Sequence, residues 1–82
     1  MEVEGRVATL RECRRRKLLS IAGLAEAAGV STRTIMDLEH GRTVPRLLTM
    51  RKLSEQLGVS PEEIDEFRDA IEGESLEGKL AA

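Results

Sequence analysis

Ser20-Ile21-Ala22-Gly23-Leu24-Ala25-Glu26-Ala27-Ala28-Gly29-Val30-Ser31-Thr32-Arg33-Thr34-Ile35-Met36-Asp37-Leu38 is the stretch that decides the fold. Ser20 is a good N-cap, because its hydroxyl can accept from a backbone N–H that the first helical turn leaves unpaired. It predicts a helix over Ile21–Ala28, ended by Gly29 in the left-handed conformation that glycine tolerates. Val30 falls in the turn. Ser31 then caps a second helix over residues 32 to about 40, which Gly41 stops. Ala25 is small where two helices must cross closely, while Val30, Ile35 and Leu38 supply the wedge that holds the second helix at a steep angle. None of these features is specific alone; at these offsets, together, they are.

Outward from this pair the apolar spacing stays at three and four residues, and no segment sustains the period-two alternation of a strand. The chain reads as all-α, a compact five-helix bundle over residues 6–72. The first helix covers about residues 7–17, with Val7, Leu10, Cys13 and Arg14 on one stripe. A short basic loop at residues 42–44 precedes Pro45, which biases Val44 away from helix and pre-sets the start of the next. The fourth helix carries Leu47, Met50, Leu53 and Leu57 at helical spacing and stops at Gly58. Ser60, Pro61 and Glu63 have the pattern of a capping box with proline at the first helical position. They predict a fifth helix that buries Ile64, Phe67 and Ile71. Residues 73–82 read as a flexible acidic tail, too polar to order itself. Its end, Lys79-Leu80-Ala81-Ala82, resembles residues left by a cloning vector.

Eighty-two residues, 40% hydrophobic and 34% charged, suffice for one small core. Aromatic side chains make up 1%, a single Phe67, so Leu, Ile, Val, Ala and Met must fill that core. A catalytic pocket with its own lid has no room, and nothing pairs a nucleophile with a base; His40 beside Gly41 has no such partner. The chain is not expected to be an enzyme. One cysteine and one histidine, Cys13 and His40, cannot make an internal disulfide or a four-ligand zinc site. No metal and no cofactor is expected. No apolar run approaches the roughly 20 residues of a membrane span, and Met1-Glu2-Val3-Glu4 lacks the order of a signal peptide, which predicts a cytoplasmic protein without a membrane partner.

The net charge of −2 conceals an asymmetry: residues 1–60 hold 11 Lys and Arg against 7 Asp and Glu, residues 61–82 hold 2 against 8. A basic body with an acidic end can present one positive face to a nucleic acid. The run Arg14-Arg15-Arg16-Lys17 is not that face by itself, since four successive helix positions spread over about 400° of arc.

Leu10-Arg11-Glu12-Cys13-Arg14, Leu19-Ser20, Leu24-Ala25-Glu26-Ala27-Ala28-Gly29-Val30-Ser31, Ile35, Leu38-Glu39-His40-Gly41, Pro45 and Leu57-Gly58-Val59-Ser60 together resemble the XRE, or Cro and lambda-repressor-like, family of bacterial and phage DNA-binding domains. The resemblance covers residues 6 to about 67. It implies a helix-turn-helix whose third helix enters the major groove, and a homodimer on a palindromic operator of double-stranded DNA. With no second domain for ligand sensing, the chain is similar to the stand-alone members, bacterial or phage-encoded and held at the nucleoid when bound.

Carried onto this chain, the resemblance puts Thr32, Arg33, Thr34 and Asp37 on the base-reading surface. Side chains at the N-terminal end of a recognition helix reach base edges, and arginine can grip guanine O6 and N7 with two parallel hydrogen bonds. Ser31, His40, Arg42 and Arg46 fall where phosphates are contacted. Arg14 matches the arginine that pairs with a third-helix glutamate, here Glu39. Cys13 occupies a core position often held by Leu, as a small apolar filler. Leu48, Phe67 and Ile71 are either core or dimer contacts.

Two positions depart from the family pattern. Ile21 replaces the glutamine whose amide commonly anchors a phosphate. Asp37 is repulsive near phosphates unless it pairs with Arg33 four residues earlier or accepts from cytosine N4. Gly23 costs about 1 kcal/mol of helix propensity relative to Ala, and leaves room for close backbone approach to DNA. The expected function is sequence-specific DNA binding by a transcriptional regulator, a repressor acting by operator occupancy. The alternative is a protein-interaction module, antitoxin-like, that keeps the fold with weak or no DNA affinity.

Overall fold

The computed structural model describes residues 7–72; the acidic tail and its vector-like end lie outside the described residues. Five α-helices follow one another: α1 (Leu10–Arg16), α2 (Ile21–Ala28), α3 (Thr32–Glu39), α4 (Leu47–Leu57) and α5 (Asp65–Glu72), with a 3-10 turn at Pro61–Glu63. Their caps are local. Ser20 and Ser31 accept from the N–H groups of Gly23 and Thr34, and Gly29 closes α2 at φ +74°. Gly23 lies in the first turn of α2, and a Cβ there would come within 3.2 Å of Ser20 Oγ. Its missing side chain therefore makes room for the α2 cap.

α2 packs on both α3 and α4, and α1 rests against α3. Leu10, Leu24, Ile35, Leu38, Leu53, Leu57, Ile64 and Phe67 are fully buried between them, with Cys13, Ala25, Ala28 and Met50 closing the gaps. Phe67 is thus core, Ile71 packs half-buried at its edge, and Leu48 is exposed.

Three local expectations are corrected. α1 starts at Leu10 rather than near Val7, because Ala8 is drawn into extended pairing with Ile64: its N–H donates to Glu63 O at 3.0 Å and its carbonyl accepts from Asp65 N at 2.8 Å. Thr9 then forms a capping box with Glu12. The segment at Ser60 is a 3-10 turn and not the first turn of α5. Ser60 Oγ donates to the Glu63 carboxylate at 3.1 Å instead of capping a backbone N–H. Ile64 stays extended, which frees it for Ala8 and delays α5 to Asp65. Third, Leu47 does not share the buried stripe of α4: Met50, Leu53, Ser54 and Leu57 are buried, and Leu47 is exposed. Pro45 stands directly before the N-cap, Arg46, at the start of this helix.

Candidate nucleic-acid interface

Burying Ile35 and Leu38 turns the opposite side of α3 to solvent. Thr32, Arg33, Met36 and His40 occupy it at helical spacing, and all are exposed. Thr32 and Arg33 stand in the first turn, the end from which side chains reach furthest into a groove. Met36 follows one turn later, an apolar side chain of the kind that contacts a thymine methyl. It is not among the residues singled out from the sequence; its offset from the buried Ile35 and Leu38 is the signal that could have found it.

Thr34 and Asp37 sit differently. Thr34 is half-buried, its hydroxyl 2.9 Å from Ser31 Oγ. Ser31 in turn accepts from Thr34 N at 3.1 Å, so its oxygen serves the cap. Asp37 turns toward the loop after α3. Its carboxylate lies 3.4 Å from Arg33 Nε and 3.5 Å from Arg42 Nη1. With Thr34, Leu38, Thr43, Pro45, Arg46 and Thr49 it lines a recess of about 300 Å3 between α3 and α4. The sequence spacing showed the Arg33 pair; the Arg42 pair, made by the loop, was not visible in it.

His40 caps the C-terminal end of α3, with Nδ1 2.8 Å from the Met36 carbonyl. A carbonyl only accepts, so Nδ1 is the donor in this contact. Arg42 and Arg46 are exposed on the loop and at the start of α4. Ile21, the departure from the family pattern at the start of α2, is half-buried against the core.

The α3 axis is held from behind by one ion pair. Arg14 Nε and Nη2 donate to Glu39 Oε2 and Oε1 at 2.7 and 3.2 Å, and Nη1 donates to Leu19 O at 3.0 Å. The two side chains are 10% and 6% exposed. Such a side-on, two-bond pair fixes direction as well as distance.

No helix among the described residues is long and apolar enough to cross a membrane. A helix-turn-helix family model matches residues 10–64. The HTH-type transcriptional regulator DdrOP3 of Deinococcus deserti is 37% identical over 73 residues, covering 89% of this chain and 52% of that protein. The chain thus spans about half the length of this relative. With α2, the Gly29 turn and α3 lying inside the matched segment, the chain belongs to the helix-turn-helix family, as the XRE-type motifs implied.

Proposed function

We infer that the chain binds double-stranded DNA sequence-specifically, as a homodimer, and represses transcription by occupying an operator. One observation carries this reading: the buried Arg14–Glu39 pair fixes α3 so that Thr32 and Arg33 stand exposed on its first turn, with Arg42 and Arg46 just beyond its last. Arg33 grips guanine through its two-bond fork with Thr32 beside it, while Thr34 and Asp37, set back from the exposed face, support that surface from its edge. Ser31, His40, Arg42 and Arg46 face phosphates and set register. The mechanism is occupancy, so no bond is made or broken. The regulator named among its relatives supports the regulatory role. It acts in the cytoplasm, at the nucleoid. Exposed Val44, Leu47 and Leu48 beside Arg46 supply an apolar surface for the second copy.

The interaction-module reading keeps some support from Ile21, which offers no phosphate donor at the start of α2. Titrating the chain with a mixed-sequence duplex at rising salt separates the two. Phosphate binding gives log affinity falling steeply with log salt, as counterions are released. Absence of measurable affinity at low salt would favour the interaction module.

A further inference from the structure

Asp37 is where the reading helix meets the loop that follows it. Its two carboxylate oxygens are divided, Oδ2 toward Arg33 Nε at 3.4 Å and Oδ1 toward Arg42 Nη1 at 3.5 Å. Its carbonyl also accepts from Arg42 N–H at 2.8 Å, so Arg42 is tied to it through backbone and side chain. The arginine side chains remain 79% and 62% exposed while the carboxylate is only 23% exposed. One shielded anion thus restrains two cations that otherwise reach freely into solvent.

We propose that Asp37 is a specificity-determining residue that holds Arg33 and Arg42 back from DNA phosphates and yields Arg33 only to its cognate base. The proposal rests on the DNA-binding reading and goes beyond it in assigning the carboxylate a role against non-cognate sequence. An exposed ion pair shifts an equilibrium by up to about fivefold. That competes with a single phosphate contact, the most that Arg33 or Arg42 gains on arbitrary sequence. A two-bond guanine contact discriminates by about 5- to 150-fold, which over most of that range exceeds the ion pair and draws Arg33 away. The carboxylate's repulsion of nearby phosphates acts on every sequence, but only the cognate site offsets it.

The test uses the 82-residue chain and two duplexes, one of mixed sequence and one selected by the parent from a random pool, across a range of salt. Asp37→Asn and Asp37→Ser remove the charge; Asp37→Glu keeps it. The first two are expected to bind the mixed duplex about tenfold tighter, with a log-salt slope steeper by about one to two units. Their gain on the selected duplex is smaller, so the ratio of specific to non-specific affinity falls. Asp37→Glu stays near the parent. Adding Arg42→Ala weakens mixed-duplex binding more in the Asp37→Asn background than in the parent, because the parent's carboxylate already withholds part of the Arg42 contact. Parent-like affinity and slope for Asp37→Asn and Asp37→Ser overturn the proposal, as does loss of folding in both, which would make Asp37 a structural support. If the parent itself binds neither duplex, the DNA-binding reading fails first and takes the proposal with it.

Discussion

Arg14 joins three parts of the chain through one guanidinium: α1 on which it sits, Glu39 of α3, and the Leu19 carbonyl before α2. Removing the glutamate leaves that cation buried without its anion, so Glu39→Ala is expected to destabilise the fold by about 3–5 kcal/mol. A chemical denaturation midpoint equal to the parent's would show that the pair contributes orientation alone. Glu66 is a second carboxylate with a structural task, accepting from Leu10 N–H at 2.8 Å across 56 residues of sequence. Burial pushes its carboxyl above the ordinary glutamate value of 4.5, opposed by that same N–H. With the folded value raised, the contribution to stability is full below pH 4.5 and is lost as pH rises through the folded value. Glu66→Gln keeps an acceptor for Leu10 without the charge. Its stability relative to the parent should therefore improve as pH rises from below 4.5 through the raised folded value; a difference constant with pH would contradict this.

Among the elements, those bounded by local chemistry were legible in the sequence. Ser20, Gly29 and Ser31 settle α2 and α3 within a few residues of themselves, and the Arg14–Glu39 pair was implied by family resemblance. What escaped depends on partners far along the chain. Ala8 pairs with Ile64, and that long-range contact decides both the late start of α1 and the 3-10 turn before α5. Asp37 meets Arg42 only because the loop after α3 folds back. Leu18 escaped for another reason. It ends α1 at φ +58°, where its N–H donates to Arg15 O at 2.9 Å and that of Leu19 to Arg14 O at 3.2 Å. This is the bonding of a Schellman turn, whose left-handed position ordinarily holds glycine. Leucine there is strained, and at 92% exposure it gains no packing in return. Leu18→Gly should stabilise the fold by about 0.5–1 kcal/mol after the greater freedom of glycine in the unfolded chain is allowed for. A lower thermal midpoint would mean that Leu18 makes a contact worth more than its strain.

At the scale of the whole molecule, basic and acidic parts of the chain meet at one loop. The third helix and the segment after it carry Arg33, Arg42 and Arg46, while Glu66 and Asp69 of α5 line a recess together with Gly41, Thr43 and Val44 of that same loop. The homodimer proposed above is expected to meet through exposed Val44, Leu47 and Leu48. Half-sites about one helical turn, roughly 10 to 10.5 base pairs, apart are expected. A one-to-one complex on a single asymmetric half-site, by sedimentation or light scattering, would contradict dimeric binding. The central claim is that the first turn of α3 reads bases, and selection of bound duplexes from a random pool tests it most directly, run in parallel with the parent, Arg33→Ala and Arg42→Ala. The parent should enrich a two-fold symmetric motif. Arg33→Ala should lose about 1–3 kcal/mol at that site and relax preference at one base pair per half-site, while Arg42→Ala weakens all sequences alike and keeps the motif. An Arg33→Ala pool that enriches the parent's motif unchanged, with uniformly weaker binding, would make Arg33 a phosphate contact and contradict the claim.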